Sequence, residues 1–121
     1  MIKGLRTVTY QADDLEKAKD WYSQVLGFAP YFDESFYVGF DVGGFELGLM
    51  PSDETIVRGN NAVAFWGVED IKVAQTKLFK LGAEKISEIV NVGENLYVAT
   101  VKDPFGNVFG IIENPHFKLS E

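Results

Sequence analysis

Lys102–Pro115 reads KDPFGNVFGIIENP. Asp103-Pro104-Phe105-Gly106-Asn107 carries the residues of a tight turn. Pro presets φ, Gly accepts a left-handed backbone, and Asp and Asn bond to nearby backbone groups. A short apolar run follows, so a strand is expected over Asn107 to Glu113, paired through the turn with Leu96 to Lys102. Further upstream, Ile71, Ala74, Leu78 and Leu81 recur at helical spacing. They predict a helix from about Ile71 to Leu81, with Asp70 as its cap and Gly82 as its stop. Strands are expected before it, over Ala62 to Val68, and after it, over Lys85 to Val90. This half of the chain therefore reads β-α-β-β-β.

The first half has the same order. A strand over Leu5 to Gln11 precedes a helix that begins near Asp14 and ends at Gly27. Leu15, Ala18, Tyr22, Val25 and Leu26 form the apolar face of that helix. Asp13 is the expected cap, with Glu16 three residues on. Strands are expected over Pro30 to Glu34, Phe36 to Asp41 and Phe45 to Met50, with Gly43-Gly44 as a hairpin turn. Ser52 to Asn61 (SDETIVRGNN) is polar and aperiodic and reads as a linker. The halves repeat: Asp14-Leu15 matches Asp70-Ile71, Gly27 matches Gly82, and Phe36-Tyr37-Val38 matches Leu96-Tyr97-Val98. The predicted fold class is α+β. Within a single domain spanning 1–121, two βαβββ modules, about 4–51 and 62–115, form a cupped, barrel-like mixed sheet with helices on its convex face.

Composition narrows the function. The chain of 121 residues is 46% apolar and 24% charged, has no cysteine, and carries a net charge of −7. It is long enough to bury a core without staples. The missing cysteines remove thiolate nucleophiles, disulfides and zinc–thiolate sites together. The acidity and the lack of a basic cluster argue against nucleic acid. No segment has the length of a membrane span or the pattern of a signal peptide, so a cytoplasmic protein is expected.

Taken in order, Asp14-Leu15-Glu16-Lys17-Ala18, Trp21-Tyr22, Leu26-Gly27-Phe28, Val68-Glu69-Asp70, Leu81-Gly82-Ala83 and Asp103-Pro104-Phe105-Gly106-Asn107 resemble the vicinal oxygen chelate superfamily. That superfamily contains glyoxalase I, extradiol dioxygenases, fosfomycin-resistance enzymes and bleomycin-resistance proteins. The resemblance implies paired βαβββ modules and commonly a homodimer. In the metal-dependent members the first and last strand of each module supply ligands, usually His and Glu. Those positions fall here on Thr7, Glu46, Val63 and Gly110. Only Glu46 is an acid; Val63 and Gly110 have no ligating atom, and a hydroxyl such as that of Thr7 is a poor ligand for zinc or nickel. No metal and no other cofactor is therefore expected. The single histidine, His116, lies in the tail beyond the last strand and reads as a solvated residue.

Strand alternation then fills the cup. Thr7, Thr9, Tyr37, Gly39, Glu46, Gly48, Met50, Val63, Phe65, Tyr97, Ala99, Val108, Gly110 and Ile112 are expected to point inward. Val38, Phe40 and Phe36 are expected to face the helices. Thr7, Thr9, Tyr37, Glu46, Met50, Val63, Phe65, Tyr97, Gly110 and Ile112 are the candidate ligand-binding residues. An aromatic, mostly apolar cup with one acid has the make-up of a small-molecule pocket. Glu46 can serve as a catalytic acid or base, pair with a ligand cation, or hydrogen-bond a tyrosine hydroxyl. Three functions follow from this. The first is a metal-free protein that sequesters an antibiotic or metabolite, as the resemblance to the bleomycin-resistance branch implies. The second is a glyoxalase-like lyase or isomerase using Glu46. The third is a non-catalytic scaffold whose cup is filled by its own or a partner's side chains. Tyr31, Phe32 and Phe36 form an apolar set suited to pairing of two chains.

Overall fold

Strand β1 (Thr7–Ala12) leads into helix α1 (Leu15–Leu26), and the residue that starts the helix is Asp14 rather than the expected Asp13. Asp14 keeps an extended backbone while its side chain accepts from the amide of Lys17, so it satisfies one of the free N–H groups of the first turn. The helix stops at Gly27, whose φ of 83° lies in the left-handed region that a Cβ would disfavour. The structure is a computed structural model that describes residues 1–118; residues 119–121 of the domain expected over 1–121 lie outside the described residues. The chain divides into two units, Met1–Arg58 and Gly59–Glu121, at a boundary inside the stretch read as a linker.

The first unit continues with β2 (Phe32–Glu34), β3 (Tyr37–Val42) and β4 (Phe45–Pro51). Its sheet has the order β1-β4-β3-β2, with β1 parallel to β4 and the other pairs antiparallel. Gly43 and Gly44, both at positive φ, close the β3–β4 hairpin. Helix α1 packs on β1, β3 and β4. Tyr10, Ala12, Val38, Phe40, Leu47 and Leu49 are buried on that side together with Ala18, Trp21 and Tyr22 of the helix. Tyr22 stacks on Tyr10 at 5.8 Å and meets Trp21 edge-on at 4.8 Å. Phe36 departs from expectation: it is 63% exposed. It sits with Ser35 in the reversal between β2 and β3, where strand alternation does not reach.

The second unit comprises β5 (Phe65–Gly67), α2 (Ile71–Lys80), β6 (Glu84–Lys85), β7 (Val90–Asn91), β8 (Tyr97–Lys102) and β9 (Val108–Glu113). Its order is β5-β9-β8-β6, with β7 also paired to β8. Asp70 caps α2 by accepting from the amides of Lys72 and Val73, and Gly82 follows the helix at φ 100°. The single strand expected over Lys85 to Val90 is two short pieces. Consecutive amides of Ile86 and Ser87 both donate to the carbonyl of Thr100 at 3.1 Å, the two-against-one pairing of a bulge.

The bulged strand's partner, β8, also corrects a side-chain assignment. Val98 and Thr100 lie opposite Ile112 and Gly110, whereas Tyr97, Ala99 and Val101 lie opposite Glu113, Ile111 and Phe109. Ala99, Val101, Phe109 and Ile111 are buried, and Glu113 accepts from the first amide of α2. Tyr97 and Ala99 therefore belong to the helix-side face, not to the face of Gly110 where they were expected.

The fold is thus α+β, made of two βαβββ modules. Among the described residues no helix is long and apolar enough to cross a membrane. The turn at Asp103 is built as its sequence implies. Asp103 is 2% exposed, and its oxygens accept from the amides of Phe105 and Asn107 and from Asn107 Nδ2 at 2.8–2.9 Å. Replacing this side chain removes the acceptor that these three donors share. Asp103→Ala is expected to lower unfolding free energy by about 2–3 kcal/mol, with Asp103→Asn costing less, as read from chemical denaturation midpoints.

Candidate functional site

In the first unit, the face of the sheet opposite α1 carries two glycines side by side. Gly39 on β3 is in register with Gly48 on β4. The absent side chains leave room for two tyrosine rings. A Cβ on Gly39 would come within 3.2 Å of Cε1 of both Tyr31 and Tyr37, and one on Gly48 would overlap the Tyr37 hydroxyl, with Cζ at 2.6 Å. Tyr31 is tied to the same strand by its amide, which donates to the Gly39 carbonyl at 3.0 Å. Laid across the glycines, both rings aim their hydroxyls at one carboxylate: Tyr31 donates to one oxygen of Glu46 and Tyr37 to the other. Asp41 lies opposite Glu46 in the β3–β4 ladder and adds a second negative charge beside it.

This clasp shifts both phenols. Donation to Glu46 is the largest cause of the raised pKa of Tyr31, followed by desolvation and the charges of Glu46 and Asp41. For Tyr37 burial comes first and the bond to Glu46 second, and its pKa is raised strongly. On the outer side of the rings is an open recess of about 360 Å³ lined by Tyr31, Phe32, Phe36, Tyr37 and Met50. Phe32 stands 6.1 Å from both Phe36 and Tyr37, with ring planes inclined at 67° and 62°. Strand β2 is held toward α1 by Lys19, whose ammonium contacts Asp33 at 3.1 Å and Glu16 at 2.8 Å.

The candidate residues fall into separate groups. Tyr37, Glu46 and Met50 come together at this recess. Thr7 and Thr9, both exposed, lie beside Glu46 and Gly48 in the parallel β1–β4 register. In the second unit, Gly110 is opposite Phe65, not Val63, and Ile112 shares its face. A Cβ on Gly110 would meet the Ala64 carbonyl at 2.6 Å, Phe65 Cδ1 at 2.7 Å and Val63 Cγ1 at 3.0 Å. That position is therefore closed by backbone and apolar side chains and cannot accommodate an acidic side chain. Tyr97 stands on the other face. His116, exposed, donates from Nε2 to the carbonyl of Glu94 at 2.9 Å. Tyr31, Phe32 and Phe36 enter the site although the sequence reading assigned them to pairing of chains and Phe36 also to the helix side. The signal was present in PYFDESFY, Pro30–Tyr37, where Tyr31, Phe32 and Tyr37 flank a two-residue reversal that itself contains Phe36.

The residues present do not fit a catalytic metal. Thr7, Val63 and Gly110 stand at three of the four positions where the resemblance implies ligands, and none of them offers an imidazole or a carboxylate. Among the described residues no three His, Cys, Asp or Glu side chains come together. The remaining acid, Glu46, has each carboxylate oxygen accepting a tyrosine proton.

Comparison with known proteins places the fold. The model of the Glyoxalase/Bleomycin resistance protein/Dioxygenase superfamily matches residues 4–111, and the chain belongs to that superfamily. It is similar to the crystal structure of a glyoxalase-related enzyme from Fulvimarina pelagi, at 18% identity and a TM-score of 0.79, covering 98% of this chain and 94% of that one. A glyoxalase/bleomycin resistance protein/dioxygenase family enzyme from Burkholderia phytofirmans PsJN gives 20% identity and a TM-score of 0.76 over 88% and 95% of the two chains. The fosfomycin resistance protein FosX from Listeria monocytogenes gives 19% identity and a TM-score of 0.76 over 96% and 97%. No curated protein matches.

Two outcomes follow from the clasp. Gly48→Ala should expel the Tyr37 ring and cost about 1–3 kcal/mol, seen as a lower melting temperature and displaced Tyr37 ring resonances. The second concerns alkaline pH. Folding favours the neutral phenols, because both folded values lie above the ordinary 10.0. Their contribution is present below that value and is lost as pH rises through the raised ones. Stability should fall along this alkaline limb, and Glu46→Gln should make the fall shallower while tyrosinate absorbance appears at lower pH.

Proposed function

We propose that this chain is a metal-free small-molecule-binding protein of the glyoxalase/bleomycin-resistance type, which sequesters an antibiotic or metabolite. The observation that supports this most is the aromatic recess of the first unit, backed by a carboxylate that two tyrosine hydroxyls clasp. Its volume falls in the range of small-molecule sites, and its walls are greasy with polar groups at one end. Both oxygens of Glu46 already accept protons, which favours a holding role for this residue over that of a catalytic base. Fold likeness alone supplies no chemistry here, since one fold hosts many functions. A homodimer is proposed alongside it on the likeness to the superfamily, with the recess left open to a ligand.

Ligand binding by the folded state alone must raise the melting temperature as ligand concentration rises. A panel of drugs and metabolites is expected to yield at least one such ligand, with the shift lost in a Tyr31→Ala, Phe36→Ala double variant. Nickel, zinc, manganese and iron(II) are expected to give no comparable shift and to be absent in stoichiometric amount from the purified protein. A panel without any dose-dependent shift would sink the binding reading. One tightly bound metal per chain would sink its metal-free part.

A further inference from the structure

The recess has an unusual economy of polar groups. Four of its five lining residues are aromatic and the fifth is Met50. The only polar atoms those side chains own, the Tyr31 and Tyr37 hydroxyls, give their protons to Glu46. A guest that brings its own hydrogen-bond donors or acceptors would surrender its bonds to water and find few replacements. Two carboxylates nevertheless stand behind its tyrosines. Glu46 lies at the hydroxyl end of two of the rings, with Asp41 next to it in the ladder. A phenol that donates to a carboxylate is polarised toward phenolate, which enriches its ring face in electrons and strengthens attraction to a cation. Phe32 packs edge-to-face with Phe36 and with Tyr37, so these walls do not all turn the same edge outward, and a ring face is the side of the quadrupole that attracts positive charge. The sulfur of Met50 adds a soft, polarisable wall.

These features select against a neutral polar guest, an anion and a cation that needs hydrogen bonds. We propose that the recess formed by Tyr31, Phe32, Phe36, Tyr37 and Met50, with Glu46 behind it, is a receptor for a hydrogen-bond-poor organic cation, an alkylated ammonium group. This names the ligand class for the binding reading above and rests on it. Glu46 is then a residue that acts through the two tyrosines rather than by touching the guest. Tyr37 is the fixed wall, seated over Gly48, and Tyr31, 64% exposed, is the outer wall.

The test uses choline and its uncharged carbon isostere, 3,3-dimethylbutanol, titrated against the full chain by calorimetry and by the ring resonances of Phe32 and Tyr37. The pair has the same shape and differs in charge. Choline is expected to bind at least about tenfold more tightly than the isostere, with methylammonium, which carries three donors, weaker than choline. Glu46→Gln should erase most of the preference for choline over the isostere, whereas a purely structural role would weaken both guests alike and leave their ratio intact. Phe32→Leu, which keeps the wall apolar but removes a ring, should weaken choline more than the isostere. Equal binding of choline and isostere to the wild-type protein overturns the cation inference and leaves the binding reading standing. The inference also fails if neither binds while other members of the drug and metabolite panel do. If nothing binds and Phe32→Leu converts a dimer to a monomer in light scattering, the recess is covered by a second copy, and both readings fall.

Discussion

A missing Cβ near the middle of the last strand decides what each module can hold. Gly48 and Gly110 each leave a gap one side chain wide on the face away from the helix. The two gaps are filled differently. Over Gly48 lies the ring of Tyr37, whose hydroxyl reaches past the backbone to a carboxylate and whose outer side stays open. Around Gly110 stand Phe65, Val63 and the Ala64 carbonyl, which already accepts from the Gly110 amide. Packing leaves no freedom in either case, because interiors close-pack to the point where one added methyl must displace a neighbour. The open recess is therefore found in the first module, while Gly110 of the second has backbone and apolar side chains within 3.0 Å of where a Cβ would stand.

The Tyr31–Glu46–Tyr37 clasp shows how a lone acid is tolerated on an apolar face. A half-buried carboxylate without partners is costly, and like charges placed opposite each other in a ladder add to that cost, as Asp41 and Glu46 would here. Two phenolic donors offset much of it. In return the carboxylate organises the aromatic wall, because both ring orientations are pinned at their hydroxyl ends. The negative charge is thereby kept out of direct contact with the recess while its field still acts through the rings. This is a different use of the superfamily's scaffold from one in which acids and imidazoles converge on an ion.

Much of the fold was legible because local signals agreed. Asp70, Gly82, Gly27 and the DPFGN turn each carry their own physical instruction, and all hold in the structure. Other features were hidden for identifiable reasons. The phase of β8 was ambiguous, since Leu96 and Val98 are as apolar as Tyr97, Ala99 and Val101 and alternation offered no contrast. The bulge at Ile86-Ser87 is a property of pairing with Thr100, a residue far along the chain. The shift of the first cap from Asp13 to Asp14 turned on backbone conformation, since both residues have the same side chain.

By itself the sequence determined the two βαβββ modules, the turn at Asp103 and the absence of an acid at Gly110 or an imidazole at Val63. These are matters of composition, periodicity and turn chemistry, which act over a few residues. Tertiary structure alone decided that Tyr31 and Tyr37 converge on Glu46, that Phe36 turns outward, and that Gly110 is sealed while Gly48 supports an open recess. Phe36 turns outward because it lies in the reversal itself; the others depend on strand register, which brings together residues separated by nine, fifteen or more than forty positions in the chain. No local pattern encodes which of two glycines will be covered by a hydroxyl-bearing ring.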